Sequence, residues 1–555
     1  MSKRVLIIGG VAGGASCAAR LRRMDESAQI VLFERSGNVS FANCGLPYYI
    51  GGVIADRQKL LVSTAERFRG TMNVDVHIRH EAERIDRANR TVEVRDLETG
   101  DVRREPYDVL VLAPGAEPIR PKLPGVDLPG VFSLRNLDDT DAIHSWIASR
   151  GVARTVVIGG GFIGLEMVEN LVHRNIAVTL LELSRQVMPP MDPEMVAPVH
   201  QELQYHGVHL QLNNGIAAIE RGENETLAVV AQDGQRLDTD MVILAVGVRP
   251  DVKLARESGL TLGSTGGIAV DDQMRTSDPA IFAVGDAVEV RDFVTGQPTL
   301  TPLAGPANRQ GRIAADAICG RDAHFRGTQG SAVVGIFDLT LALTGATEKS
   351  LRRAGIAYQK SYTHSMHHAA YYPGAKRISL KLLFSPTDGR ILGAQAIGGE
   401  GVEKRIDVLA MAIQQESTVF DLEEAELCYA PQYGSAKDPV NIAGFAAANI
   451  LRGDVSVGHW SEWRERQTGG DPIVTLDVRP PADVAAGAID GTVRVPLGQL
   501  RERLDDLPRD REIWVHCNVG QTSYNAVRLL RQHGFHAKNL SGGITSYRMG
   551  GPDAG

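Results

Sequence analysis

Five cysteines are scattered along the 555 residues (Cys17, Cys44, Cys319, Cys428 and Cys517), with no CxxC pair and no metal-ligand spacing. Thiol chemistry in such a chain must run on single sulfurs. Cys44 closes Ser40-Phe41-Ala42-Asn43-Cys44 and precedes Gly45, whose backbone freedom lets the sulfur approach a reacting partner. A nucleophilic thiol must be partly ionised, so electropositive neighbours or a helix N-terminus are expected around it. Cys517 ends the apolar run Trp514-Val515-His516, ahead of a loop Asn518–Thr522 and a helix from Ser523. Successive N–H groups in such a loop stabilise a thiolate or a bound persulfide anion. The competing reading of each cysteine is a small buried hydrophobe.

The elements that must position these sulfurs follow a repeated pattern. The strand Val5–Ile8 runs into Gly9-Gly10-Val11-Ala12-Gly13-Gly14, a helix over Ala15–Met24, and a strand Ile30–Phe33 ending at Glu34. The second copy is Thr155–Ile158, then Gly159-Gly160-Gly161-Phe162-Ile163-Gly164, a helix through Val172, and Ala177–Leu181 ending at Glu182. Strand, glycine turn, helix and an acid roughly 20 residues on make the dinucleotide-binding fingerprint. The pyrophosphate sits on the helix N-terminus and the acid accepts from a ribose hydroxyl. The first copy departs at Val11, which holds the middle glycine position; the second matches fully. Glu182 favours NADH because a carboxylate repels a 2′-phosphate, although Arg185, three residues on, leaves NADPH open.

Buried strands running into small-residue turns recur at Tyr107–Gly115, Met241–Gly247 and Ile281–Ala287, and strands and helices without a nucleotide turn fill Ala332–Ala448. Length alone calls for several domains. With 43% hydrophobic and 23% charged residues, most of the chain should fold. A formal charge of −8 argues against nucleic acid or an anionic membrane as partner. Arg20, Arg22 and Arg23 form a local basic cluster that would attract an anionic cofactor. No apolar stretch approaches the length of a membrane span, and Met1–Arg4 leads straight into a strand, so a cytoplasmic protein is expected. His364, His367 and His368 lie in a loop-like segment without a complementary carboxylate pattern, and no metal is expected there.

The paired turns together with Ile281–Ala287 resemble the pyridine nucleotide-disulfide oxidoreductases over roughly residues 1–450. The resemblance implies an α/β fold with two Rossmann-like dinucleotide-binding domains, the first for FAD and the second for NADH, and an α+β dimerisation domain that makes a homodimer. The implied cofactor positions are Gly9, Gly10, Ala12, Gly13, Gly14, Glu34, Arg35 and Asn43 around the first turn. Around the second they are Gly159, Gly161, Phe162, Ile163, Gly164 and Glu182, with Pro114, Gly115, Gly247, Gly285, Asp286 and Ala304 in later segments. Within that family, the single-thiol stretch from Ser40 to Tyr49 looks like the coenzyme A-disulfide reductases and their persulfide-reductase relatives. There the lone cysteine alternates between thiolate and a mixed disulfide with coenzyme A.

That likeness implies a coenzyme A channel at Ser16, Arg20, Arg23, Ser40, Asn43, Asn308 and Lys437. It also implies tyrosines that reach the active site from the dimer partner: Tyr429, and one of Tyr371 and Tyr372. Oxidases and peroxidases of the superfamily carry a histidine in the first glycine turn where this chain has Ala12, which counts against cycling through a sulfenic acid.

Leu476–Arg479, Ile489–Leu497, Trp514–Cys517 and Leu540–Gly543 resemble, in order, a single rhodanese domain. Gln521-Thr522 stands where many rhodaneses have an arginine, so thiosulfate should bind weakly and a thiol-borne persulfide is the expected donor. The expected domains are FAD-binding at 1–149 and 281–325, NADH-binding at 150–280, dimerisation at 326–450, a linker at 451–471 and a rhodanese-like domain at 472–555. The function expected is NAD(P)H-driven reduction of coenzyme A disulfide, persulfide or polysulfide through Cys44, with Cys517 handling sulfane sulfur. A sulfurtransferase regulated by a flavoprotein module is the rival, and would make thiocyanate from thiosulfate and cyanide without NADH.

Overall fold

The computed structural model describes residues 2–470 and 473–550, grouped in two compact units: 1–187 with 204–330, and 188–203 with 331–555. The boundary expected at 471/472 and the last five residues lie outside the described residues.

The first unit holds two parallel five-stranded sheets. One runs Ile281–Ala283, Val109–Leu112, Arg4–Ile8, Gln29–Glu34, Asp75–Ile78. The other runs His209–Gln211, Ala177–Leu181, Arg154–Ile158, Met241–Leu244, Val131–Phe132. The central strands read as continuous apolar runs because both faces are covered, with the three-stranded antiparallel sheets of residues 80–106 and 216–239 each packed into the core of one parallel sheet, so both alternating rows are buried. Each glycine turn leaves the C-terminal end of a central strand, where an open α/β sheet reverses its strand order and leaves a crevice.

The helices start earlier than sequence periodicity suggests, at Ala12–Met24 and Phe162–His173, because the turn residues themselves adopt helical geometry. Gly9 has φ +98°, and a Cβ there would lie 2.0 Å from the Ala113 carbonyl oxygen. A Cβ on Gly14 would sit 1.9 Å from the Gly9 carbonyl oxygen. The second copy repeats both constraints at Gly159 and Gly164, 2.3 Å and 1.9 Å from the corresponding carbonyls. The middle position carries no such constraint: φ is −100° at Val11 and −79° at Gly161, so valine is tolerated.

In the second unit a five-stranded antiparallel sheet runs Ala332–Ile336, Leu339–Gly345, Ile391–Gly398, Arg377–Phe384, Gln359–Met366. Lys381, on one of its inner strands, is fully buried. Its ammonium contacts Asp192 (2.7 Å), Glu348 (2.5 Å) and Glu194, while Lys360 reaches Glu348 at 2.8 Å. Burial works to raise the Glu348 carboxyl, yet Lys381 and Lys360 hold it well below the usual carboxylate range.

The fourth sheet is parallel and runs Val457–Gly458, Ala537–Leu540, Ile513–His516, Val474–Asp477, Val493–Arg494. Its first strand corrects the expectation of a linker at 451–471. Val457–Gly458 pairs with Asn539–Leu540, and the helix Trp460–Thr468 buries Trp460 and Trp463 against Trp514 and Leu540. Of the glycines that suggested a linker, Gly458 is buried in the strand against Trp514 and Gly469 caps the helix, while the polar residues lie on a short helix anchored by two tryptophans. His364 is likewise no loop residue: it lies in the strand Gln359–Met366, buried between the Ser379 and Ser546 hydroxyls at 2.8 Å each. His367 and His368 are buried just beyond it.

Candidate active site

The two fingerprint acids do the same work in the first unit. Gly10 N–H donates to the Glu34 carboxylate at 2.8 Å, and Ser36 N–H donates to its other oxygen at 2.8 Å. Gly160 N–H donates to Glu182 at 2.6 Å and Ser184 N–H to its second oxygen at 2.8 Å. Each acid therefore clamps its own glycine turn. The serines two residues after each acid were missed in the sequence, although the repeat Glu-x-Ser was there to be seen.

A cavity of about 450 Å³ opens at the first turn. Of the expected residues, Gly9, Ala12, Gly13, Glu34, Arg35, Asn43, Pro114, Gly115, Gly285 and Asp286 line it together. Gly10 and Gly14 lie behind the wall, one packed on Leu32 and Val39 and the other on the Gly9 carbonyl. Ala304 opens the helix Ala304–Ile318. Arg135 also lines the cavity, braced on the Pro114 carbonyl at 3.1 Å, and no motif announced it. Burial raises the Asp286 carboxyl against the pull of Arg135.

These residues fit a flavin dinucleotide. A buried acid faces a ribose position, glycines keep the cradle free of side chains, and a Cβ on Gly115 would meet nothing within 4 Å. The second-copy residues Gly159, Gly161, Phe162, Ile163, Gly164 and Glu182 are not among that cavity's lining and make a separate turn. Gly247, at φ +100°, follows the strand Met241–Leu244 that pairs with Thr155–Ile158.

Cys44 is exposed, beside the cavity-lining Asn43. The segment is tied to the first turn: Ser40, at φ +46°, donates its N–H to the Gly10 carbonyl at 2.7 Å. Of the electropositive neighbours or helix N-terminus expected, the short helix Leu46–Gly51 does start just after Cys44, but the charged side chains acting on the sulfur are acids. Burial raises the Cys44 thiol, and the carboxylates of Glu166 and Asp286 raise it further.

The channel residues are unevenly available. Ser16 hydrogen-bonds Asn308, which joins the helices Ala12–Met24 and Ala304–Ile318. Arg20 pairs with Asp316 at 2.7 Å. Arg22 is buried and donates to the carbonyls of Met72, Asp25, Glu26, Ala28 and Asn73, so it is structural. Arg23 is exposed.

In the second unit Tyr371 and Tyr429, both exposed, join hydroxyls at 2.9 Å. Tyr372 instead sets its ring edge-on against His368, with centroids 5.6 Å apart. Lys437 lies over the Phe445 ring at 6.0 Å.

Cys517 is buried at the end of its strand, and its Sγ accepts from Gly520 N–H at 3.2 Å and the Ser523 hydroxyl at 3.3 Å. The helix Gln521–Gln532 starts directly after Gly520. Ile544 N–H holds the Cys517 carbonyl at 2.8 Å. Burial pushes the His516 imidazole down to about 4, so it is neutral at pH 7 and lends the sulfur no positive charge. Asn518 turns its amide onto Asp483 at 2.7 Å.

Residues 3–311 match the model of the pyridine nucleotide-disulphide oxidoreductases, residues 331–438 that family's dimerisation domain, and residues 460–549 the rhodanese-like domain. A coenzyme A disulfide reductase of Staphylococcus aureus is 37% identical over 445 residues, 80% of this chain and 99% of the relative. The crystal structure of reduced Bacillus anthracis CoADR-RHD superposes with a TM-score of 0.96 at 47% identity, covering 99% of this chain and 98% of that one. An NAD-dependent persulfide reductase from A. fulgidus gives 0.91 at 36% identity, covering 98% and 100%. Among the described residues, no helix is long and apolar enough to cross a membrane.

Proposed function

The chain belongs to the pyridine nucleotide-disulphide oxidoreductases, and on that premise we propose that it reduces coenzyme A disulfide or a coenzyme A-type persulfide through Cys44. One observation carries this reading: a lone exposed thiol adjoins a dinucleotide cavity and has no second cysteine in its own segment. A dithiol enzyme would close its disulfide internally, whereas a lone thiol must take its partner sulfur from the substrate.

The cofactor that fits the cavity is FAD, held by the first-turn residues with Asp286, and when bound it supplies two-electron reduction to the sulfur site from NADH. Glu182 holds the nicotinamide dinucleotide's ribose, and its charge disfavours a 2′-phosphate. FAD binding is assigned to 1–149 and 281–325 and NADH binding to 150–280. Cys44 attacks the sulfane or disulfide sulfur and forms the mixed disulfide. Ser16, Arg20, Arg23, Ser40, Asn43, Asn308 and Lys437 steer the thiol's nucleotide end, with Arg23 best placed to meet a phosphate because it is exposed. Cys517 accepts sulfane sulfur in a cradle of N–H and hydroxyl donors. That cradle lacks a side-chain cation, which favours thiol-borne persulfide over thiosulfate.

The chain works as a homodimer whose Tyr371–Tyr429 pair donates to the leaving sulfur of the partner subunit's site. The shared hydrogen bond supports Tyr371 over Tyr372. Tyr371→Phe and Tyr429→Phe are each expected to lower kcat by about 10²-fold, the scale of a lost hydrogen-bond donor to charge developing in the transition state, and Tyr372→Phe to stay within about twofold. Equal losses in Tyr371→Phe and Tyr372→Phe would reverse the assignment.

Steady-state NADH oxidation with coenzyme A disulfide, coenzyme A persulfide, inorganic polysulfide and oxygen tests the whole reading. Turnover should require one of the first three. Oxygen consumption as fast as sulfur reduction would favour the oxidase chemistry instead.

A further inference from the structure

The mechanism leaves unused the half-buried acid whose charge acts most on Cys44. Glu166 stands on the helix Phe162–His173, which packs flush against the short helix Leu46–Gly51 that follows Cys44. The approach is close: a Cβ on Gly51 would lie 2.1 Å from the Asn170 side-chain oxygen, and Arg174 holds the Ile50 carbonyl at 3.0 Å. Across this contact the Tyr48 hydroxyl meets a Glu166 carboxylate oxygen at 3.4 Å. Cys44 and Tyr48 are four residues apart in a nearly continuous right-handed run, with Gly45 in αR geometry, which sets both side chains on one face.

We propose that Glu166, held against Tyr48, is the proton store for Cys44: it takes the thiol proton when Cys44 ionises and releases it to the departing thiolate. Tyr48 is a positioning residue here, and Glu166 exchanges a proton with the reacting sulfurs. The proposal rests on Cys44 being the exchanging thiol.

The step balances without any further reagent. Cys44–SH and Glu166–COO⁻ become Cys44–S⁻ and Glu166–COOH, with no electrons moved. The thiolate attacks the substrate disulfide, a new S–S bond forms, and the old one breaks with its electron pair on the leaving sulfur. The Glu166 proton ends on that sulfur as a thiol.

The charges around the pair favour this exchange. Burial, with the neighbouring Glu169, pushes the Glu166 carboxyl up to about 7 even though the Tyr48 hydrogen bond lowers it. Tyr48 is itself pushed up to about 12, by burial and then by Glu166, Glu169 and Cys44, so it keeps its proton. The groups facing Cys44 are Glu166 from the packed helix and Asp286 from the turn after Ile281–Ala283. An ionised Glu166 therefore opposes the thiolate and a protonated one permits it, so the two groups titrate as a coupled pair.

The test is Glu166→Gln in the full-length flavoprotein, with Glu166→Asp as the conservative control. Iodoacetamide modification of Cys44, followed by mass spectrometry at pH 7, should speed up about threefold in Glu166→Gln. A thiol pKa lower by about one unit gives about tenfold more thiolate, partly offset by its lower nucleophilicity. Turnover on coenzyme A disulfide should nevertheless fall about tenfold, and the limb of the kcat/KM profile near pH 7 should flatten. Glu166→Asp should keep the limb. Faster alkylation with slower turnover is a pair of changes that a merely structural role does not produce. An unchanged alkylation rate, or an unmoved pH limb in Glu166→Gln, would overturn the proposal. If Cys44→Ser still turns over, the assignment of Cys44 fails first; if Cys44→Ser is dead and Glu166→Gln behaves as the parent, only the proton store fails.

Discussion

Cys44→Ser is expected to lower NADH-driven reduction of coenzyme A disulfide by on the order of 10³-fold or more, the scale seen when a covalent nucleophile is removed. A serine hydroxyl at that position stays protonated and cannot exchange with sulfur, while the cavity beside it is untouched. FAD content should therefore match the parent, and NADH should still bleach the flavin in a single turnover. The matching change in the second unit separates the two sulfurs. Cys517→Ser leaves Gly520 N–H and Ser523 aimed at an oxygen. Reduction of free coenzyme A disulfide should then persist within about twofold, and only sulfur delivered through the rhodanese-like domain should be lost. Steady-state kinetics of both variants on coenzyme A disulfide and on bulky or protein-borne persulfides make the comparison. Identical behaviour of the two variants on every donor would end the idea of two distinct sulfur sites.

Lys381→Met should destabilise the second unit by about 3–5 kcal/mol, the cost of stranding buried charges by removing their partner. Asp192, Glu194 and Glu348 all converge on that ammonium; Asp192 and Glu194 would lose it as their partner, while Glu348 would keep Lys360 and Arg352. The loss also has a pH signature. In the parent, burial raises Glu348 and Glu194 but Lys381 outweighs it, so both carboxyls are held low. A carboxyl held low stabilises above its unfolded value, about 4.3 for glutamate, and that contribution disappears as pH falls through the folded value. In the variant Glu194 keeps the raising effect of burial with Lys381 gone, whereas Glu348 keeps Lys360, so Glu194 is the group that destabilises as pH rises through its new value. The gap in Tm between parent and variant should thus be wide at pH 8 and narrower at pH 5. Thermal unfolding of both proteins at the two pH values measures it, and a gap independent of pH would show that the acids do not depend on Lys381.

Much of the candidate site was legible in the residues, because dinucleotide binding leaves local signatures. A strand, a glycine turn, a helix start and an acid lie within some 30 residues, and each constraint is set by backbone contacts inside that unit. Gly9, Gly14, Gly159 and Gly164 are glycines because a carbonyl oxygen occupies the space of a Cβ. The single cysteine in its segment and the second sulfur after an apolar strand are local facts as well. The linker reading of 451–471 failed for a reason of the same kind. Two tryptophans in a polar stretch were weighed by composition, and what decides is whether a sheet lies nearby for them to cover.

The chain order alone determined that this protein carries two dinucleotide turns, one lone thiol beside the first, and a sulfur loop near its end. Tertiary structure decided which charges face those atoms. That burial raises the Cys44 thiol, with Glu166 and Asp286 adding to it where cations would have lowered it, depends on residues more than a hundred positions away. That Lys381 is buried among three acids depends on where Asp192 and Glu194 fold back, and the alternation of its strand gives no hint of it. Backbone geometry is dictated by near neighbours in the chain. Electrostatic potential and burial are sums over everything packed within a few ångströms, and sequence separation does not enter them.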